Sequence, residues 1–116
     1  MREIAVMPRY KVMVDDNFHY QDLDLRRQHG IYDTAEEALT GCRRLVNISL
    51  NDAYRPGISA EALYSAYTNF GNDPFIIVVD GADSSATFSA WGYAKERCRL
   101  ILRPYNLLRF NRHLIK

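Results

Sequence analysis

The densest chemistry in this sequence lies at residues 15–24, Asp-Asp-Asn-Phe-His-Tyr-Gln-Asp-Leu-Asp. Four carboxylates, an amide and an imidazole occupy ten positions. Hard divalent cations need clustered oxygen ligands, and Mn²⁺ accepts an added imidazole. A second acidic segment holds Asp80 and Asp83. If the strands expected at 10–14 and 75–79 were parallel neighbours, both acidic loops would leave the same end of the sheet. Asp15, Asp16, Asp80 and Asp83 would then converge, with His19 beside them. The spacing does not fit the calcium loop of an EF-hand. The plainer account is that these aspartates make turns and helix caps in water. His19 next to an aspartate also offers acid–base chemistry, because imidazole titrates near neutral pH. A solvated surface histidine explains it as well. His29 and His113 have no companions that suggest a site.

The common catalytic signatures are missing. There is no glycine-rich phosphate loop, no Cys-x-x-Cys, no His-Glu-x-x-His and no Gly-x-Ser-x-Gly. This counts against the usual nucleotide, zinc and acyl-transfer enzymes. Two further groups suit contact rather than catalysis. Phe88, Trp91 and Tyr93 would serve a ligand pocket or an interface, where aromatic residues are enriched. Trp91 is expected in the core, since it shares a helical face with Ala94 and Cys98. The C-terminal stretch has no acidic residue after Glu96. Arg97, Arg99, Arg103, Arg109, Arg112 and Lys116 give it +6, against −5 for the rest. Such a tail meets phosphates, an anionic membrane surface, or an acidic protein surface. Packing on a protein surface, its own or a partner's, is the preferred reading, because the aromatic interleaving typical of nucleic-acid contacts is thin.

Composition bounds what can hold these residues. A chain of 116 residues with 47% apolar and 25% charged residues and a net charge of +1 has the material for one packed domain. No apolar run approaches the ~20 residues needed to span a membrane. The N-terminal apolar stretch is too short for a secretory signal. Cys42 and Cys98 sit within apolar helical patterns and read as buried free thiols of a reducing compartment. The expectation is therefore a cytoplasmic protein without a resident cofactor; a divalent metal is the one group the acidic loops would suit.

The elements follow from periodicity. Tyr10-Lys11-Val12-Met13-Val14 alternates as a strand, with Tyr10, Val12 and Val14 on one face. Asp15-Asp16-Asn17 reads as a turn. Residues 29–33 suggest a short second strand. Thr34 with Glu37 forms a capping box. The apolar residues from Ala35 to Ala53 then recur at spacings of three and four, which predicts a helix ended near Pro56-Gly57. Ser59 caps a second helix whose buried face would be Leu63, Tyr64, Tyr67 and Phe70. Gly71 would end it, and Asn72-Asp73-Pro74 would turn the chain. Residues 75–79, Phe-Ile-Ile-Val-Val, are apolar throughout. Such a strand is expected to have both faces covered, by helices on each side or by another subunit. Residues 86–88 suggest a further short strand. Ser89 caps a third helix, which Pro104 stops. This order predicts an α+β, two-layer fold: a small, mostly antiparallel sheet of three or four strands packed with about three helices. Residues 1–103 would form the domain, and 104–116 a basic amphipathic tail.

Four segments taken together resemble a family of small bacterial proteins of uncharacterised function. They are Tyr10-Lys11-Val12-Met13-Val14-Asp15-Asp16-Asn17-Phe18-His19, Thr34-Ala35-Glu36-Glu37-Ala38, Phe70-Gly71-Asn72-Asp73-Pro74-Phe75-Ile76, and the stretch from Phe88 to Cys98. The resemblance spans roughly residues 10–100. It departs at Gly92, a position usually acidic in such proteins, and it does not extend to 104–116. It implies a bacterial, cytoplasmic single domain and assigns no catalytic residue.

Three functions stay open on these residues. The leading one is a non-enzymatic binding or regulatory module acting through protein contacts, as a homodimer. The others are a small metal-dependent enzyme using Asp15, Asp16 and His19, and nucleic-acid contact through the tail.

Overall fold

The computed structural model describes residues 10–19, 23–79 and 87–103. It is an α+β fold in which three helices lie on one side of a three-stranded antiparallel sheet. The strands are β1 (Tyr10–Asp16), β2 (Arg27–Tyr32) and β3 (Asn72–Val78), and the helices are α1 (Ala35–Ala53), α2 (Ala60–Phe70) and α3 (Ala90–Ile101). The sheet order is β2-β1-β3, so β1 is central.

The alternation of β1 sets the layers. Tyr10, Val12 and Val14 are buried against Ala38, Cys42 and Leu45 of α1. Ile76 and Val78 of β3 and Tyr32 of β2 join this cluster. A second cluster joins the helices to one another through Val46, Leu50, Tyr54, Leu63, Tyr67, Ala90, Ala94, Cys98 and Ile101. α1 contributes to both clusters, and it touches all three strands. The expected caps are in place. Thr34 accepts from the Glu37 amide, Ser59 from Ala62 and Ser89 from Gly92. Both cysteines are free and buried.

Several expectations change. β1 runs through Asp15 and Asp16, which were expected in a turn. β3 begins at Asn72 and takes in Asp73 and Pro74. Proline fits there because β3 is an edge strand among the described residues, where one missing amide does least harm. Among the described residues, helices cover only one face of β3, and Ile77 is 43% exposed. Thr87 and Phe88 are not in a strand. Phe70 is 67% exposed and Trp91 40% exposed, although both were expected in the core. The expected tail, 104–116, lies outside the described residues.

The start of β3 is fixed by both neighbouring helices. The Asn72 amide donates to Ser49 Oγ of α1 at 3.0 Å. The Tyr67 hydroxyl of α2 donates to the Asn72 carbonyl at 2.6 Å. Asn17, buried just after β1, ties the same corner. Its Nδ2 donates to the Tyr67 carbonyl at 3.1 Å, its amide donates to the Gly71 carbonyl at 3.0 Å, and its Oδ1 accepts from Trp91 Nε1 at 3.2 Å. A buried amide satisfied on both ends orders three elements at once.

Candidate functional site

The face of the sheet that is free of helices among the described residues carries an unusual set of side chains. Directly paired residues project to the same side, so register defines the rows. Lys11 lies between Ile31 and Ile77. Met13 lies between Gln28 and Phe75. Asp15 lies opposite Asp73. Ile31 is 44% exposed and Ile77 43% exposed, Lys11 is exposed, and Met13 and Phe75 are half-buried. Exposed β-branched side chains on a sheet face are the feature of this chain that most needs a functional account.

The acidic end of this face has its own structure. Two carboxylates directly across an antiparallel pair repel. Arg26 relieves this. Its Nε and Nη2 donate to the two carboxylate oxygens of Asp15 at 2.7 and 2.9 Å. The same guanidinium lies over the Phe75 ring, 4.9 Å from its centre. The bond to Asp15 holds the Arg26 pKa above its ordinary value. Burial raises the Asp73 carboxyl above the usual carboxylate range, the Asp15 charge adds to this, and Arg26 opposes it.

The convergence expected of the acidic residues rested on parallel neighbouring strands, and the strands are not parallel. β1 and β3 are antiparallel, with Tyr10 opposite Val78 and Asp16 opposite Asn72. Residue 79 therefore leaves the sheet at the Tyr10 end, a strand length from Asp15. The parallel arrangement that would bring Asp80 and Asp83 to Asp15 and Asp16 is absent. Asp80 and Asp83 themselves lie outside the described residues. Asp15 already holds a cation, Arg26. Asp16 accepts from the Phe18 amide at 2.9 Å through Oδ1 and lies 3.2 Å from His19 Nδ1 through Oδ2. Asp16 thus makes the local turn that its residue type suggests. Among the described residues, no group of three or more His, Cys, Asp and Glu could hold a metal ion.

The aromatic trio is split. The Phe88 and Tyr93 rings lie 5.6 Å apart, Phe88 packs on the core, and the Tyr93 hydroxyl is 3.2 Å from Asn47 Oδ1. Trp91 points elsewhere, to Asn17. Beyond Asn17, the exposed Phe18 stacks on the exposed Phe70 with ring centres 5.4 Å apart. Of the basic C-terminal residues, Arg97 and Arg99 lie in α3 and Arg103 follows it; Arg109, Arg112 and Lys116 lie outside the described residues.

The described residues also line two open clefts. One, of about 480 Å³, is lined by Tyr32, Asp33, Glu36, Thr40, Gly41 and Arg44. The other, of about 390 Å³, is lined by residues including Ser49, Asp52, Arg55, Tyr67 and Phe70. In the second, Arg55 is turned back on the carbonyls of Asp52 and Tyr54.

Comparison with family models, with curated proteins and with solved structures finds no match. No helix of the described residues is long and apolar enough to cross a membrane.

The thiols carry a prediction of their own. Burial pushes Cys42 up to about 12 and Cys98 up to about 11. Thiolate is the reactive form, so both are expected to resist alkylation in the native chain at pH 8 and to react fully in denaturant. Rapid labelling of either without denaturant, followed by mass spectrometry, would contradict the buried placement.

Proposed function

We propose that this chain is a non-enzymatic interaction module that self-associates as a homodimer through the open face of its sheet. One observation carries the reading. Ile31, Met13, Phe75 and Ile77 line the face opposite the helices, and Ile31 and Ile77 remain over 40% exposed. The all-apolar sequence of residues 75–79 calls for cover on both faces. The helices supply one cover, and a second subunit supplies the other.

The size of the face sets the expected strength. Seven-residue strands at about 3.3 Å per residue, spaced about 4.8 Å apart, give a patch roughly 20 by 15 Å. Counted over both copies that is roughly 600 Å², about half of the 1,200 Å² at which standard specific interfaces begin, so the contact is a weak one. The dimer is therefore expected to be reversible and visible in the micromolar range.

Sedimentation velocity over a concentration series tests this. The native chain is expected to shift from monomer to dimer. Ile77→Asp is expected to stay monomeric throughout with an unchanged circular dichroism spectrum, because it places a carboxylate on the apolar rows where the copies meet. A native chain that stays monomeric at 100-fold higher concentration than its first dilution would end the proposal.

A further inference from the structure

Charge on the open face also specifies how two copies meet, and this inference rests on the homodimer reading. The face is polar along the strands. Lys11 marks one end. Four residues away, roughly 13 Å along β1, Asp15, Asp73 and Arg26 form a cluster with one cation for two carboxylates. Met13 and Phe75 lie midway.

Two face-to-face arrangements have twofold symmetry. With the axis parallel to the strands, Lys11 stacks on the partner's Lys11 and Asp15 on the partner's Asp15. That arrangement sets Ile31 against the partner's Ile77 and Arg26 near the partner's Asp73. However, it sets two ammonium groups directly against each other, and like charges juxtaposed in an interface disfavour it strongly. Arg26 gains less there, because its Nε and Nη2 are already engaged by Asp15 of its own copy and only its remaining N–H groups can reach across. With the axis across the strands at the level of Met13, strands of the two copies run antiparallel. Met13 and Phe75 then meet their own counterparts. Each Lys11 reaches the partner's Asp15–Asp73 pair, the cluster with a carboxylate to spare.

We infer that the two copies pack with their β1 strands antiparallel, each Lys11 seated on the partner's Asp15–Asp73 pair. The acidic cluster and the lysine at the opposite end of the face then have one shared role. They fix the orientation of an interface whose attraction comes from the apolar rows between them.

Charge exchange followed by sedimentation equilibrium tests this. Lys11→Glu and Asp73→Lys are each expected to weaken self-association at least about tenfold. Mixed one to one, the two variants are expected to form a heterodimer as tight as the native dimer within about threefold, because both contacts become attractive again. The double variant is expected to recover likewise. Lys11→Met separates the two arrangements: it weakens the antiparallel dimer and strengthens the parallel one. Strengthening, or failure of the mixed variants to associate, would overturn the antiparallel register. If Ile77→Asp still abolishes the dimer in that case, the open face stands and only the register falls. If the native chain does not dimerise, both fall together.

Discussion

Tyr67→Ala is expected to remove most of the stability of this domain. The ring is 1% exposed and sits in the cluster that joins the three helices. Truncating a buried aromatic ring to alanine typically costs 3–5 kcal/mol, and small domains have only about 5–15 kcal/mol in all. Here the loss is compounded. The hydroxyl donates to the Asn72 carbonyl at 2.6 Å, so its removal also frees the first residue of β3. Desolvation holds this hydroxyl protonated well above the ordinary tyrosine range, so it remains a donor across the working pH range. Tyr67→Phe isolates the polar part and is expected to cost about 1–2 kcal/mol, the usual effect of leaving one acceptor unmet. Urea unfolding by circular dichroism measures both. A loss below about 1.5 kcal/mol for the alanine variant would show that the helices do not depend on this side chain.

Gly71→Ala is the second substitution expected to act strongly. The glycine ends α2 with its amide donating to the Tyr67 carbonyl at 2.8 Å. Its φ is −80°, a value open to any residue, so backbone freedom does not explain it. Space does. A Cβ at this position would fall 2.5 Å from Tyr67 Cδ1 and 2.8 Å from the Tyr67 carbonyl oxygen. The ring is buried and the carbonyl is helix backbone, so neither can move away at low cost. Overpacking of this kind costs about 1–3 kcal/mol and sometimes more. The cause is testable by coupling. In a Tyr67→Leu background the same Gly71→Ala change is expected to cost at least about 1 kcal/mol less, because the clashing ring atoms are gone. Equal costs in both backgrounds would place the strain elsewhere.

These two residues stand where local sequence reasoning stopped short. Gly71 was legible as a helix terminator, but the reason for glycine was not, since it depends on a ring four residues back in a particular rotamer. Asn72 to Pro74 have the composition of a turn, yet they form the first part of β3. Tertiary bonds from Ser49 and Tyr67 and pairing with β1 outweigh that local preference. Phe70 fitted the apolar stripe of α2 but lies at the helix end beyond the core, stacked on Phe18. Trp91 fitted the stripe of α3, yet it lies at the rim, 40% exposed, with its Nε1 donating to Asn17 Oδ1. A stripe gives direction around a helix and not the depth of what packs against it.

The candidate site was legible only in fragments. Asp15 stood out by type, and the apolar run from Phe75 stood out by composition. Arg26, which restrains Asp15 and covers Phe75, lay in a polar stretch with no periodicity. Asp73 looked like a turn residue. Only the register of β1 against β3 sets Asp15 and Asp73 face to face, and register is a long-range property.

By itself the sequence determined the α+β class, the three helices with their serine and threonine caps, the inward face of β1 and the burial of both thiols. Each follows from interactions among residues a few positions apart, or from the simple exclusion of apolar groups from water. The tertiary structure decided that β1 and β3 are antiparallel, that the helices cover one face only, and that a lysine and two aspartates mark opposite ends of the face left open. Those outcomes depend on which distant segments meet, and the local energies that shape a strand are nearly the same whichever neighbour it finds.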